Sequence, residues 1–570
     1  MTHIFIRAKF FVLALYFIFS TYTNAEDTKL IVPKDIIYHN AIIYTVNPLR
    51  PWAQSLVVRN GKIVAVGSNE EINNEIGNET IKIDLGGRFV LPGFHDSHVH
   101  PITGGLKTRG LFVHPESNAD GVAKIIADYA YNNPNVKIII AKGFGAQVMA
   151  HRTILDNVVY DRPVFIEGFG GHSVWLNSSA LALAGINKNT VTPEGGAIIR
   201  DENTGDPTGL LIDSAAFLAH KVMPREKVGF TEKIEIGNEV LERMTTYGIT
   251  SFKDAMVEEE ILAVYNELEK KGELNHRIAA AILISGFGLD KKGEVKARKL
   301  LKSRHNYQTS LINPNFVKVF LDGVPPAMAL LDPPPSIKEP MTRPFVKRPQ
   351  LDKLVSELDT AGVSVMVHAH GDAAIREFLD AVENTRRHNG KGVTHHIAHC
   401  STIRHDDALR LRFLEVVCEM SPYIWFPSEG MKAASAILGE GLIRRAYAAG
   451  TVVAAGGPLA AGSDWAYDNL DLNPLPYLEA LVSRKDPFGR TPGQFNPDQA
   501  LSVAQAIKTF TLNGAIAMGT EKETGSIEKG KLADFIVLDK NLFNIPVDSI
   551  SDVNVDLTIF DGRVIFRREK

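Results

Sequence analysis

The hydrophobic pattern predicts short β-strands at both ends of the chain. Residues 55–66 and 557–566 each contain two apolar runs separated by a two-residue turn, Asn-Gly in the first and Asp-Gly in the second. Such dipeptides tolerate the positive φ angles of a tight hairpin. Further apolar runs predict strands at 36–37, 42–46 and 534–538. Because neither group of strands is large enough to bury a core alone, we expect them to pair into one small β domain.

The long middle of the chain alternates between helical and strand-like patterns. The spacing of one helix face is shared by Leu351, Leu354, Val355 and Leu358. A short apolar run at 363–367 follows and predicts a strand. This alternation predicts a parallel sheet, either a barrel of eight βα units or an open doubly wound sheet. No glycine-rich dinucleotide or phosphate-binding fingerprint follows a strand in the sequence, which weakens the open-sheet alternative.

The first 25 residues have the pattern of a secretory signal peptide. Arg7 and Lys9 precede an apolar run at 10–19, and a small-x-Ala sequence ends at Ala25. A membrane anchor is the alternative, but this run is too short for a bilayer core, which needs about 20 residues. We therefore predict cleavage after Ala25, a periplasmic or secreted protein, and no stable membrane insertion of the mature chain.

Composition and charge narrow the class of protein. Of the 570 residues, 45% are hydrophobic and 22% charged, as expected for a folded protein with a large domain and a smaller one. The net charge of −4, without a long basic run, argues against a nucleic-acid partner. Cys400 and Cys418 are too few for a cysteine-rich zinc site, and whether they pair stays open. We expect a small-molecule substrate, and a homo-oligomer is compatible with the sequence.

Five short segments place histidine, lysine or aspartate where an apolar strand gives way to a loop. They contain His98 and His100, Lys318, His368, His399 and Asp464. Because side chains alternate along a strand, His98 and His100 point to the same side. Taken singly, each residue has an ordinary structural explanation, such as a hydrogen-bonded histidine, an edge-strand lysine or a turn aspartate. Together at the carboxyl ends of strands they predict the active site of a βα barrel.

The spacing between these segments matches such a barrel. A barrel of about 250 residues has about 31 residues per βα unit. His399 follows His368 by 31 residues and precedes Asp464 by 65, which places the three at the ends of strands 5, 6 and 8. The 268 residues between His100 and His368 are roughly double what four plain units need, so the early loops must carry large insertions. Eight prolines between residues 323 and 350 predict a stiff loop over the barrel mouth.

In these segments the chain resembles the amidohydrolase superfamily of metal-dependent hydrolases, and more narrowly the branch that includes N-substituted formamide deformylases. The resemblance covers nearly the whole mature chain, and its motifs lie at 92–100, 171–177, 318–323, 368–372, 462–464 and 525–534. It implies a distorted (β/α)8 barrel of the TIM type at 89–519. It also implies a small β-sandwich domain formed by both termini, at 26–88 and 520–570.

The resemblance implies one or two divalent metal ions, usually zinc. The ligands it implies are His98, His100 and Asp464 for the first metal, and His368 and His399 for the second. Lys318, carboxylated by carbon dioxide, would bridge the two as an anion. Lys253 is the rival bridging lysine, and Lys318 is preferred because it fits the family's strand pattern and lies closer to strand 5. Neutral imidazoles leave zinc strongly Lewis-acidic, so that it can lower the pKa of bound water from about 16 to about 7.

Substrate contacts must come from the inserted loops. His172, within a Gly-His-Ser sequence, is the candidate for holding the carbonyl oxygen or another polar group of the substrate, with a loop-stabilising histidine as the alternative. Phe144, Trp175 and Trp465 would supply an apolar wall, although core packing is the default role of such aromatics. Asp213 stands where this branch leads us to expect a glutamate, which leaves the polarity of the substrate open.

The predicted metal ligands, together with the family resemblance, predict metal-dependent hydrolysis of a carbon–nitrogen bond in an amide, N-acyl or N-formyl compound. An amide is a poor electrophile and neutral water a poor nucleophile, and a metal-activated hydroxide addresses both problems. Asp464 would be catalytic, because it can take the proton of the nucleophile and give it to the departing amine. Two alternatives stay open: a lactone or ester hydrolase with the same metal site, and an exported binding protein without turnover, since fold does not determine function.

Overall fold

The computed structural model describes ten stretches of the chain. They are 35–73, 80–114, 117–145, 148–168, 170–224, 228–285, 291–337, 340–421, 426–466 and 471–569. The predicted signal peptide at 1–25 lies outside them, so its cleavage and the export of the protein stay predictions. Across these ten stretches, no helix combines the length and the apolar character needed to cross a membrane.

Eight parallel strands form a barrel-like sheet at the centre of the molecule. In sheet order they are β8 (Phe94–Val99), β14 (Ile249–Val257), β15 (Arg277–Ser285), β16 (Ile312–Phe320), β17 (Ser364–Ala369), β18 (His395–His399), β19 (Val416–Met420) and β20 (Leu459–Ala461). Each is hydrogen-bonded to the next, which confirms the predicted parallel barrel. His368 lies in the fifth strand, His399 ends the sixth and Asp464 follows the eighth, as the spacing predicted.

Backbone contacts just beyond β20 join the last strand to the first. The Ser463 backbone N–H donates to Asp96 Oδ1 at 2.8 Å, and the Asp464 N–H donates to the His98 carbonyl at 2.6 Å. Gly462 allows this approach, because a Cβ atom at this position would lie only 2.4 Å from the Cβ of His98. The junction therefore sets Asp464 directly beside the first strand.

Most helices pack around the barrel and share its core, whereas α1 packs against the terminal strands and α3 to α6 pack with an inserted sheet. The α-helices are α1 (Asn69–Asn73), α2 (Pro101–Lys107), α3 (Ala119–Asn132), α4 (Arg152–Asp156), α5 (Ser178–Leu183), α6 (Ala216–His220), α7 (Phe230–Thr246), α8 (Glu259–Lys270), α9 (Lys291–Ser303), α10 (Gln350–Thr360), α11 (Asp372–Asn389), α12 (His405–Leu414), α13 (Glu429–Ile443), α14 (Ala449–Ala454), α15 (Pro474–Ser483), α16 (Val503–Phe510) and α17 (Leu512–Met518). Leu351, Val355 and Leu358 of α10 are buried against the strands, as the helical spacing predicted.

Strands from both ends of the chain form two further sheets. One has the order β5 (Lys62–Gly67), β4 (Ser55–Arg59), β1 (Ile36–His39) and β6 (Ile81–Asp84), and the other has the order β23 (Arg563–Arg567), β22 (Val555–Phe560), β21 (Phe535–Leu538), β7 (Phe89–Pro92), β2 (Ile42–Tyr44) and β3 (Trp52–Ala53). The antiparallel pairing of β7 with β21 confirms a β domain built from both termini. β7 belongs to this sheet, although residues from 89 onward were expected in the barrel. Both predicted hairpins are present, with positive φ at Asn60, Gly61, Asp561 and Gly562.

A separate sheet is inserted between the first and second barrel strands. Its order is β12 (Gly196–Arg200), β13 (Pro207–Asp213), β11 (Ser173–Leu176), β10 (Val164–Gly168) and β9 (Ile139–Phe144). With α3 to α6, it accounts for much of the extra length predicted before the second strand. The insertion begins after His100, so it rises from the carboxyl end of β8, where the predicted metal ligands lie.

The proline-rich segment lies against the same end of the barrel. Among its described residues, 321–337 and 340–349, there is no helix or strand beyond an isolated bridge between Ala329 and Met341. The Ala373 N–H at the start of α11 donates to the Ala329 carbonyl at 3.0 Å. Gly371 allows this contact, since a Cβ atom there would lie 1.9 Å from the same carbonyl oxygen. The segment is therefore held at the carboxyl end of the fifth strand.

Cys400 and Cys418, whose pairing the sequence left open, form a buried disulfide. Cys400 directly follows β18, and Cys418 lies within β19. The bond therefore ties the sixth barrel strand to the seventh immediately beside His399.

Candidate metal centre

The six residues predicted to bind metal meet at the carboxyl end of the barrel. They are His98, His100, Lys318, His368, His399 and Asp464, and each has at most 5% of its surface exposed. The geometry of parallel strands explains this convergence, because all the strands end at one rim and alternate side chains point into the barrel. Side chains that are distant in the chain are thus brought into one pocket.

Asp464 contacts the histidines of the first and sixth strands. Its Oδ1 is 3.4 Å from His100 Nε2 and 3.6 Å from His98 Nε2, and its Oδ2 is 3.7 Å from His399 Nδ1. Lys318 Nζ lies 3.5 Å from His98 Nε2. Donor atoms of His98, His399 and Asp464 all lie within 4.8 Å of one another, close enough to share one metal ion.

A second group joins the histidines of the fifth and sixth strands. The ring centroids of His368 and His399 are 4.5 Å apart, and the His370 ring stacks on His399 at 4.4 Å. Donor atoms of these three residues also lie within 4.8 Å of one another. His370, which is not among the predicted ligands, therefore supplies a third imidazole at this position.

Carboxylates hold ring nitrogens on the outer side of this histidine cluster. His98 Nδ1 is 2.7 Å from Glu419 Oε1, and His368 Nδ1 is 3.2 Å from Asp322 Oδ1. An ionised carboxylate can only accept a hydrogen bond, so Nδ1 of each ring must carry the proton. This leaves the Nε2 lone pair of each ring available to a metal, as is usual for histidines that bind metals.

These carboxylates were not among the residues predicted from the sequence. Glu419 is the only charged residue of the apolar strand β19, as Lys318 is of β16. Asp322 lies within one of the motifs that carry the family resemblance. Asp254 follows the rival lysine on β14, and its Oδ1 lies 3.8 Å from His100 Nδ1. Only the contacts across the barrel show that these acids support the histidines.

The electrostatic environment suits metal ligands. Burial holds the pKa values of His368 and His399 well below the ordinary histidine value, so both rings stay neutral and keep a lone pair. Burial also lowers the pKa of Lys318 to about 8, although Asp464 opposes this effect. Burial raises the pKa of Asp464, but the neighbouring histidines outweigh it and hold the pKa below its usual range. Burial lowers the pKa of His100, but Asp254 and Asp464 outweigh it and raise the pKa above the ordinary histidine value. The centre therefore offers neutral imidazoles at His368 and His399 and an ionised carboxylate at Asp464.

Two ring nitrogens of the centre are buried and lack a hydrogen-bond partner in the described part of the chain, His368 Nε2 and His399 Nδ1. Leaving buried polar atoms unsatisfied is unfavourable, so native proteins rarely do it. A divalent metal bound to these nitrogens would satisfy both, and imidazole and carboxylate are ligands that zinc accepts. The residues present therefore fit a divalent metal.

Lys253, the rival bridging lysine, lies nearer the amino ends of the barrel strands. Its Nζ is 3.4 Å from His396 Nδ1 and 4.0 Å from Glu419 Oε2. His395 points towards α10, with its Nε2 3.2 Å from Asp359 Oδ1. Lys318 is thus the lysine placed beside a predicted ligand, while His395 and His396 contact other parts of the fold.

His172 enters the site from the inserted sheet. Its Nδ1 is 2.6 Å from Asp213 Oδ1, and its ring centroid is 5.4 Å from that of His368. Asp213 is fully buried at the end of β13, where its φ of 49° turns the chain towards the barrel. Asp213 Oδ2 also accepts a hydrogen bond of 3.1 Å from the Val324 N–H. A buried carboxylate therefore orients His172 beside the candidate metal ligands.

The three aromatic residues predicted to line the substrate pocket lie in hydrophobic cores. Phe144 and Trp175 pack edge to face at 5.9 Å in the core of the inserted sheet, and Trp175 is fully buried. Trp465 is 2% exposed and belongs to the main barrel core. These contacts favour the core interpretation for all three and do not support the predicted apolar wall.

A parallel barrel with histidines, a lysine and an aspartate converging at its carboxyl rim defines a class of protein, the metal-dependent hydrolases. The chain belongs to the amidohydrolase family, whose model Amidohydro_3 matches residues 82–566. Membership of this family implies hydrolysis that depends on a divalent metal. The predicted family is therefore confirmed.

Individual relatives span nearly the whole chain. An N-substituted formamide deformylase of Arthrobacter pascens is 25% identical over 548 residues, which cover 94% of this chain and 99% of that protein. Protein LONG AFTER FAR-RED 3 of Arabidopsis thaliana is 28% identical over 530 residues, which cover 89% of this chain and 87% of that protein. The crystal structure of an uncharacterised metal-dependent hydrolase of Pyrococcus horikoshii OT3 matches with a TM-score of 0.67 and 21% identity. The match covers 90% of this chain and 99% of that one. This last likeness shows the fold.

Proposed function

We propose that the protein hydrolyses a carbon–nitrogen bond of a small molecule that carries an amide, N-acyl or N-formyl group. The observation that carries this proposal is the convergence of the predicted metal ligands beside the His172–Asp213 pair. The similarity to an N-substituted formamide deformylase along nearly all of both chains supports the choice of bond.

We propose two sets of metal ligands. The first metal would be held by His98, His100 and Asp464, and the second by His368 and His399, with His370 close enough to join them. The two sets adjoin at His399, which also has a donor atom within 4.8 Å of donor atoms of His98 and Asp464. A bound divalent ion acts as a Lewis acid that makes water more acidic and polarises the substrate carbonyl. We propose zinc, because neutral imidazoles suit it. The lowered pKa of Lys318 supports its carboxylation, since the neutral amine is the form that reacts with carbon dioxide.

Asp464 is the residue proposed to move protons. Its carboxylate is ionised and lies at the meeting point of the histidines from the first and sixth strands. In this position it can accept a proton from the attacking water and give it to the departing nitrogen. Without that proton the nitrogen would leave as an unstable amide anion, which is why hydrolysis of an amide needs a general acid.

His172 is proposed to bind the substrate carbonyl. Asp213 accepts the Nδ1–H of His172, and this contact sets the direction of the ring, whose Nε2 is proposed to face the substrate. The buried carboxylate also stabilises the charged form of the ring, whose Nε2–H donates to the carbonyl oxygen. Such a donor lowers the barrier because negative charge develops on this oxygen during attack.

We also propose that the protein is exported. The pattern of residues 1–25 supports this, as does the disulfide between Cys400 and Cys418, because disulfides persist in oxidising compartments. Detection of the mature chain, beginning after Ala25, in a periplasmic or culture fraction tests the proposal. Retention of the uncleaved chain in the cytoplasm would refute it.

The proposed reaction is tested with matched substrates and defined metal states. Purified protein is stripped with a chelator, reloaded with Zn²⁺ and assayed on an N-formyl amine, its N-acetyl counterpart and an ester of similar shape. We expect amide hydrolysis that is lost on chelation and restored by zinc. Asp464→Asn should lower the amide rate by about 10²–10⁴-fold, whereas His388→Asn, at the exposed end of α11, should keep the wild-type rate.

Three outcomes would contradict the proposal. Activity that survives complete removal of metal would exclude the proposed chemistry. Turnover of the ester with no turnover of either amide would favour the lactone or ester hydrolase. Binding of amides without turnover, unchanged in Asp464→Asn, would favour a binding protein.

A further inference from the structure

Glu419 is an acidic side chain enclosed within the barrel. It lies on β19, in which all five residues are buried, and its own surface is fully covered. The neighbouring side chains of the barrel interior include an apolar cluster with Phe316, Met366 and Ala398. A carboxylate is rarely buried in such surroundings unless specific groups stabilise it. The contacts of its two oxygens are therefore informative.

One oxygen of Glu419 contacts a predicted metal ligand. Oε1 lies 2.7 Å from Nδ1 of His98, and the two residues are separated by 321 positions in the chain. Since an ionised carboxylate only accepts, this contact requires the proton of the imidazole to be on Nδ1. Nε2 then carries the lone pair, and it lies within hydrogen-bonding distance of Lys318 Nζ, at 3.5 Å, and 3.6 Å from Asp464 Oδ1. The contact thus determines both the tautomer and the direction of the His98 ring.

The other oxygen of Glu419 faces a buried cation. Oε2 has no hydrogen-bond partner in the stretches that the structure describes, and Lys253 Nζ lies 4.0 Å from it. Lys253 is itself fully buried, and its Nζ is 3.4 Å from His396 Nδ1. Lysine and glutamate are almost never fully buried unless they are paired. Lys253 is therefore placed to compensate the charge that Glu419 carries in the interior.

We propose that Glu419 is a positioning residue for the metal centre: it holds His98 with Nε2 directed at the metal, and Lys253 pairs with the second oxygen of Glu419. This inference rests on the proposed metal site, and it gives a role to Lys253, which the mechanism does not use. A carboxylate behind a metal-binding histidine raises the basicity of the ligand and fixes its orientation. Its removal typically weakens metal binding by about 10–100-fold.

The test measures Zn²⁺ affinity by competition with a chromogenic chelator on the full-length protein. We expect Glu419→Gln to bind zinc about 10–100-fold more weakly than wild type, because the amide keeps the shape but loses the charge. Glu479→Gln is the matched control, since Glu479 is also buried but bonds to the Ser551 N–H at 2.8 Å, away from the centre. The control should bind zinc as wild type does. The absorption spectrum of the Co²⁺-loaded protein provides a second readout, which should change in Glu419→Gln only.

A double variant keeps the test decisive if Glu419→Gln does not fold. Glu419→Met combined with Lys253→Met removes both buried charges, and apolar replacements of similar volume usually preserve folding. We expect this protein to fold and to bind zinc at least 10-fold more weakly than wild type. Wild-type zinc affinity in either folded variant would overturn the role of Glu419. Absence of zinc binding by the wild-type protein would instead overturn the proposed metal site itself.

Discussion

The contact between His172 and Asp213 makes a sharp prediction about substrate binding. Asparagine at position 213 has nearly the same shape as aspartate but carries no charge, so Asp213→Asn removes the support for a charged His172 ring. The hydrogen bond is 2.6 Å long, and Asp213 is fully buried, which means that water does not screen the interaction. We therefore expect a loss of activity without a loss of metal.

The size of the effect follows from the burial of the pair. A hydrogen bond to a charged group contributes about 1.5–3 kcal/mol. Since about 1.4 kcal/mol corresponds to a tenfold change in rate, Asp213→Asn should lower kcat/KM by about 10–150-fold. Most of the loss should be in kcat, because the Nε2–H of His172 is proposed to stabilise charge that develops only during attack on the carbonyl.

A double-mutant cycle measures this coupling. The variants are Asp213→Asn, His172→Gln and the combination, each assayed for kcat, KM and zinc content on one amide substrate. In the His172→Gln background, Asp213→Asn should have little further effect, because its partner is already gone. Asp201→Asn is the control on the same inserted sheet, since Asp201 lies in the exposed turn between β12 and β13. An equal effect of Asp213→Asn in both backgrounds would refute the proposed role of the pair.

Four further predictions concern stability. Burial raises the pKa of Asp359, but hydrogen bonds with His395 and Arg386 outweigh it and hold the pKa below 3.8. Asp359→Asn should therefore reduce the free energy of unfolding by about 3–5 kcal/mol at pH 7. In urea titrations, the difference in unfolding free energy between wild type and Asp359→Asn should be constant above about pH 5 and shrink as the pH falls below 3.8. A difference that increases at acid pH would contradict this prediction. Cys418→Ala removes the disulfide with Cys400, which lies 18 residues away in sequence, and should reduce the free energy of unfolding by about 3 kcal/mol. Adding a reductant to this variant should cause no further change in its stability. Trp175→Ala should reduce the free energy of unfolding by about 3–5 kcal/mol, while a raised KM in a folded Trp175→Phe protein would argue for a substrate contact after all. Zinc at 100 times its dissociation constant should increase the free energy of unfolding by about 2.7 kcal/mol. If calorimetry shows the same Tm before and after chelation, the metal does not bind the folded state preferentially.

The barrel and the positions of its rim residues could be predicted because both follow from simple periods. Alternation along a strand sets His98 and His100 on one side, and a repeat of about 31 residues per unit relates His368, His399 and Asp464. Both regularities depend on backbone geometry alone, so they are visible in a single sequence. The hairpins of the β domain were visible for a similar reason, since Asn-Gly and Asp-Gly turns permit positive φ.

The supporting carboxylates could not be predicted from the sequence. Glu419 and His98 are 321 positions apart, and no local pattern connects them. Asp322 lies 46 positions from His368, yet an aspartate after a strand is also a common turn residue. A contact of this kind depends on how strands from different parts of the chain are placed around the barrel. The local signal for Glu419 is a lone charge within an apolar strand, which β19 shares with β16 and its Lys318.

For the aromatic residues the sequence leaves two roles open. Phe144, Trp175 and Trp465 are predicted to supply an apolar wall, with core packing as the default role. Large aromatic side chains bury a large apolar area wherever they lie, so the sequence does not distinguish the wall of a pocket from the interior of a sheet. Here the inserted sheet has its own core, which Phe144 and Trp175 fill.

We propose that selection of the substrate depends on polar groups that the insertions bring to the rim. Asp213 accepts from His172 on one side and from the Val324 N–H at the start of the proline-rich segment on the other. Gly323 makes this approach possible, because a Cβ atom there would lie 2.2 Å from Asp213 Oδ2. The inserted sheet and the proline-rich segment thus meet at one buried carboxylate above the metal ligands. A change in either segment would move His172 without altering the ligands, so the same metal chemistry can be combined with different substrates.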